Sequence, residues 1–197
     1  MKLFKKFIIV CLIAITAMAA WAQNGQGPRN GRKNGCSTCP LAQTAFAAQP
    51  LSAGDAANLL IMREEEKLAR DVYQVLSSKW NVRIFSNIAV SEQRHFDAIG
   101  TLISRYKLTD PAQETAGVFT NRELQALYNE LIAKGSASLP DALQVGVTIE
   151  ETDIDDLKAE IAVTHNKDVL TVYGNLLSGS LNHLSAFNSQ IATVRSN

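Results

Sequence analysis

The chain has 197 residues, 46% of them hydrophobic, with 19 basic and 19 acidic side chains and a formal charge of zero. That balance excludes a basic nucleic-acid scaffold and a strongly cationic membrane-surface protein. With 11 glycines and 5 prolines the composition is neither disordered nor collagenous, and three cysteines are too few for a disulfide-framed miniprotein.

The N-terminal 22 residues read as a secretory signal peptide. Lys2, Lys5 and Lys6 form a basic start, residues 7–20 an unbroken apolar run, and Ala20-Trp21-Ala22 a small-x-small cleavage site. The apolar run falls short of the ~20 residues needed to span hydrocarbon, so no stable membrane anchor is expected. The mature chain would begin at Gln23 as an exported protein, periplasmic or secreted. It keeps 16 basic against 19 acidic residues, a net charge of −3.

Residues 23–50 read as a flexible tail. Residues 23–35 hold four glycines, three asparagines and Pro28, and no apolar side chain. Cys36-Ser37-Thr38-Cys39-Pro40 follows. In an exported protein this CxxC is expected to close a local disulfide. A zinc site would need a second pair, and haem attachment would need a histidine where Pro40 stands.

From Leu51 to about residue 195 the chain reads as helix throughout. Ser52 caps a first helix to about Lys79, and 80–83 break it. A second helix is expected over 86–106, then a loop over 107–119 around Pro111 and Gly117. Asn121 caps a short helix that Gly135 stops near Lys134. Ser138 or Leu139, with Pro140 in the first turn, opens a helix to about Thr164. Asn166 caps the last helix, to about Arg195, and His165 before it reads as a solvated loop residue. No window alternates with period two over strand length. The fold class is all-α: four long helices in two hairpins, joined by one long crossover that carries an extra short helix. A four-helix bundle of that connectivity is the ferritin-like arrangement.

The polar residues on the apolar stripes are the informative ones. The first long helix presents Leu59, Met62, Glu66, Ala69, Tyr73 and Leu76 on one face, with Glu64 and Glu65 pointing more outward. The second presents Ile88, Glu92, His95, Ile99 and Leu102. The fourth presents Leu143, Val147, Glu150, then Asp153 or Ile154, then Leu157. The fifth presents Leu176, Ser180, His183, Phe187 and Ile191. Singly, each polar residue has a plain explanation. Glu66 could pair with Lys67 or Arg70, Glu150 could be solvated, and His183 could be a hydrogen-bonded core histidine. Together, carboxylates facing one core without a cation would repel and cost several kcal/mol each. Two divalent cations would neutralise four of them. Oxygen and imidazole donors without thiolate suit iron or manganese, with zinc a third choice. A one-residue error in helix phase turns a side chain by ~100°, so Glu65 or Glu151 could replace its neighbour.

The pattern resembles the di-iron carboxylate members of the ferritin-like superfamily. The run Met62-Arg63-Glu64-Glu65-Glu66-Lys67-Leu68-Ala69-Arg70-Asp71-Val72-Tyr73 is similar to their first-helix motif, a Glu with Ala three on and Tyr seven on. More narrowly, five runs resemble domain-of-unknown-function family 2202. They are that first-helix run, Ser91-Glu92-Gln93-Arg94-His95, Gly117-Val118-Phe119-Thr120-Asn121, Ile149-Glu150-Glu151-Thr152-Asp153-Ile154 and Gly179-Ser180-Leu181-Asn182-His183-Leu184. The resemblance implies Glu66, Glu92, His95, Glu150 and His183 as metal ligands. It departs at Ser180, where the final helix of the di-iron pattern carries Glu. Asp153, a turn beyond Glu150, is expected to supply the missing carboxylate. Tyr73 could hydrogen-bond a ligand of the centre or relay an electron. The implied chemistry is iron oxidation, peroxide removal or metal sequestration, in the manner of a ferroxidase or peroxidase-like oxidoreductase acting on dioxygen or peroxide. The competing expectation is a non-catalytic helical binding module with a structural metal or none. A zinc form would take up no oxygen, and a metal-free module would melt unchanged in chelator. An oligomer is compatible with either.

Overall fold

The computed structural model describes residues 50–196. The signal-peptide reading of 1–22 and the CxxC tail up to residue 49 lie outside them. The described residues form five helices and no strand: α1 (Ala53–Trp80), α2 (Arg83–Arg105), α3 (Arg122–Gly135), α4 (Leu139–Val163) and α5 (Lys167–Ser196). None of them is long and apolar enough to cross a membrane.

The helix starts follow their caps. The Ser52 hydroxyl accepts from the Asp55 amide at 3.0 Å while Asp55 reaches back to the Ser52 amide, a reciprocal capping box. Asn121 accepts from the amides of Glu123 and Leu124, and Ser138 from that of Asp141, with Pro140 in the first turn. The Asn166 side chain accepts from the Asp168 and Val169 amides. α1 ends on Asn81 in the left-handed region (φ 52°), whose amide closes onto Ser77.

Two boundaries differ from expectation. α2 starts at Arg83 rather than near Ser86, on Val82, which makes no side-chain cap. Packing selects this start, because the fully buried Phe85 must face Tyr73 and Phe187 in the core. Gly135 does not stop α3 by turning left-handed. It is the last helical residue and is followed by a right-handed Ser136. Its missing side chain answers to packing: a Cβ there would lie 2.8 Å from Leu76 Cδ2.

α1 and α2 run antiparallel, since Arg63 bonds the Phe96 carbonyl while Arg70 bonds Gln93. α4 and α5 are antiparallel too, with Asp153 against Ser180 and Glu150 against His183. The pairs meet where α1 packs on α4 and α2 on α5, and α3 lies against α1 and α4. The apolar core falls into two clusters. One holds Leu68, Val72, Tyr73, Leu76, Phe85, Leu143 and Phe187. The other holds Leu59, Met62, Ile99, Leu102, Leu157, Tyr173 and Leu176. Between them lies a layer of buried carboxylates and imidazoles.

Candidate metal centre

Each long helix sends polar residues into that layer at the middle of its apolar stripe. Glu66, Glu92 and Glu150 are 2%, 2% and 1% exposed, and His95 and His183 are both 8% exposed. Solvation therefore does not explain Glu150. Nor does Glu66 pair with its basic neighbours: Lys67 and Arg70 both bind Asp71.

The side chains form two groups of three, Glu66–Glu92–His95 and Glu92–Glu150–His183. Within each, one donor atom per residue lies within 4.8 Å of the others. Glu92 belongs to both. Its Oε2 lies 2.9 Å from His95 Nδ1 and its Oε1 2.8 Å from His183 Nδ1. Glu66 Oε2 approaches His95 Nδ1 at 3.3 Å, and Glu150 Oε2 approaches His183 Nδ1 at 3.4 Å. The imidazoles stack at 5.6 Å between centroids.

These atoms stand at contact distance without making hydrogen bonds. Glu66 Oε1, Glu92 Oε1, His95 Nδ1 and His183 Nδ1 are buried and have no hydrogen-bond partner. Buried polar atoms are normally satisfied, so a set of orphans aimed at one another marks a place for a ligand. The donor set, carboxylate oxygen with imidazole nitrogen, suits a hard to borderline divalent cation. The residues present therefore fit metal.

The remaining contacts orient these groups. The Tyr73 hydroxyl, wholly buried, donates to Glu150 Oε1 at 2.7 Å. Asp153 is half-buried and lies in neither group of three; it turns inward and accepts a hydrogen bond from the Ser180 hydroxyl. Gly179, beside Ser180, makes room for His95, since a Cβ there would lie 2.5 Å from His95 Nε2. Glu151 is exposed.

Without metal the layer competes for protons. Burial, with the charges of Asp153 and Glu92, holds the Glu66 carboxyl well above its ordinary value. Burial raises Glu150 and Asp153 to about 7 each. Glu92 is the exception. Burial would raise it, but His183 and His95 together outweigh that and bring it to about 2. Burial depresses His183, yet Glu150 and Glu92 raise it to about 9. The arrangement is an ionised Glu92 between two imidazoles, flanked by carboxyls that hold their protons.

Three features escape sequence reasoning. Glu64, expected to point outward, is 3% exposed and accepts from the Thr120 amide at 2.6 Å, tying the crossover to α1. Glu65 is half-buried and turned toward acids on α4 rather than to solvent. Lys67 is fully buried beside the stripe, where no cation was expected. It bonds Asp71 at 2.6 Å and the Thr115 carbonyl at 2.9 Å, while Asp71 also accepts from the Gly117 amide. The spacing of Lys67 and Asp71 was a usable signal. Nothing local marks Glu64.

Comparison with known proteins places this geometry in a family. The chain is 48% identical over 155 residues to the uncharacterized protein MJ0754 of Methanocaldococcus jannaschii, covering 78% of this chain and 84% of that protein. It is similar to the crystal structure of hypothetical protein MJ0754 from Methanococcus jannaschii DSM 2661, with a TM-score of 0.74, 48% identity, and coverage of 76% of this chain and 86% of that one. The model of the uncharacterized protein domain DUF2202 matches residues 55–195, from the first turn of α1 to the end of α5, and the chain belongs to that family.

Proposed function

We propose that this protein binds two divalent metal ions, iron foremost, in the core of a ferritin-like four-helix bundle made by α1, α2, α4 and α5. Glu66 and His95 hold one ion, Glu150 and His183 the other, and Glu92 bridges them. Asp153 beside Ser180 supplies the fourth carboxylate. The observation that carries this reading is the sharing of Glu92 by two groups of three whose facing atoms are buried and unpartnered. Four carboxylates and two dications balance in charge, which removes the desolvation cost that the empty layer would otherwise bear.

Two ferrous ions so held supply two electrons to dioxygen or peroxide, which makes iron oxidation or peroxide removal outside the cytoplasm the favoured activity. The chain's own residues hold the ions, set the imidazoles through Gly179 and Glu92, and keep Glu150 in place through the Tyr73 hydroxyl. The test is an anaerobic ferrous titration of the mature protein, followed by oxygen. Two tight ions per chain and a fast optical change are expected, and Glu92→Gln should weaken both ions together. Absence of tight binding would sink the reading, and binding without oxygen chemistry would leave a sequestering or structural site.

A further inference from the structure

Carboxylates continue outward from the centre along the seam between α1 and α4. Asp153, Asp156 and Glu160 follow one another at spacings of three and four, on one stripe of α4. The register of the seam is set at two points. Asn58 of α1 donates to Glu160, and Tyr73 of α1 donates to Glu150. Glu65 lies between Asn58 and Tyr73 on α1, so it falls opposite the stretch between Glu160 and Glu150. The charges that act on it are those of Asp156, Asp153 and Glu160. All four acids are half-buried, whereas Glu66 and Glu150 beyond them are fully buried. None of the four makes an ion pair with a described residue.

A second observation is independent of the acids. Tyr173 of α5 is 1% exposed, and its hydroxyl has no hydrogen-bond partner. The charges acting on that hydroxyl are, in order, those of Glu160, Glu65, Asp55 and Glu66, so its tip lies between the seam and the centre. A buried hydroxyl left unpaired costs about 1–3 kcal/mol. A hydrated cation beside it would accept its lone pair and relieve that cost. The opposite side of the centre offers no such approach, because Tyr73, Phe85 and Phe187 close it with packed rings.

Among the described residues, the seam acids form no group of three within 4.8 Å, unlike the ligands of the centre. Their spacing suits a cation handed on stepwise rather than held. We propose that Glu160, Asp156, Glu65 and Asp153, with the Tyr173 hydroxyl, form the passage by which divalent cations reach the buried centre. This rests on the metal-centre reading above.

The test is stopped-flow loading of the full mature chain with Co2+, read by its visible absorption. Glu65→Gln with Asp156→Asn should slow loading about tenfold, the lower end of what electrostatic focusing supplies, with the final stoichiometry and spectrum unchanged. Tyr173→Phe should also slow loading while leaving the melting temperature unchanged or higher, since its hydroxyl bonds nothing in the fold. Glu130→Gln, an exposed acid on α3, controls for net charge and should load at the parent rate. Parent-rate loading in both seam variants overturns the passage. A lower final stoichiometry in the double variant overturns it too, by making those acids ligands. If the parent chain binds no Co2+, the metal-centre reading itself fails.

Discussion

Asp153 of α4 accepts a hydrogen bond from Ser180 of α5, at the position where the di-iron pattern would carry a carboxylate on the final helix. The carboxylate has thus crossed from one helix to its neighbour while keeping its place at the centre. If Asp153 serves the second ion, Asp153→Asn should weaken that ion by about 10- to 100-fold, the range for losing a supporting group at a metal site. The first ion should be spared. Calorimetric titration with Mn2+ separates the two steps. Equal affinities in parent and variant would remove Asp153 from the site.

The metal-free protein should lose stability as pH rises from about 5 to 9. Glu65 is raised to about 8 by burial and by Asp156, and Glu150 and Asp153 to about 7. Between their ordinary values and these, the folded chain holds protons that the unfolded chain has released, so stability falls with pH. His183, raised to about 9, acts in the same direction: its contribution is complete below its ordinary 6.5 and is lost through about 9. Glu92, lowered to about 2, opposes this only in acid, where protonating it costs stability. Metal should reverse the trend, because it displaces those protons. Melting temperatures in chelator and in saturating Mn2+, across that range, check both halves. A chelated protein that melts higher at alkaline pH contradicts the raised carboxyls.

Gly179 should be required by one ion and not the other. A methyl there would collide with the His95 ring, so Gly179→Ala should displace His95 and cost about 1–3 kcal/mol by overpacking. The stoichiometry should drop by one ion, with the Glu92–Glu150–His183 group still loading. Gly174→Ala, where a Cβ meets nothing within 4 Å, should retain both ions.

Asp71 should be among the most sensitive positions for stability. It stands 2.6 Å from the amino group of a fully buried Lys67 and also binds Arg70 and the Gly117 amide. Asp71→Ala strands that charge and should cost about 3–5 kcal/mol, the range for breaking a buried pair. Lys67→Met added to it should recover part of the loss. Denaturant unfolding of the single and double variants measures both. A single variant with parent stability would show that the pair contributes nothing net.

What the sequence by itself determined is what depends on near neighbours along the chain. Ser52, Asn121, Ser138 and Asn166 start their helices because a cap acts on amides two or three residues away. The 3.6-residue period places Glu66, Glu92, His95, Glu150 and His183 mid-stripe, since apolar residues above and below must face the core. Tertiary structure alone decided how these residues meet. That Glu92 reaches both imidazoles, that Asp153 faces Ser180, and that Gly179 yields space to His95 all depend on the register of one helix against another. No local spacing encodes that register; the side chains that interlock across the interface set it. The same holds for Glu64 and Glu65. Three consecutive glutamates share one local pattern, and only the positions of the crossover and of α4 decide that Glu64 ties down the crossover, Glu65 faces the seam and Glu66 enters the centre.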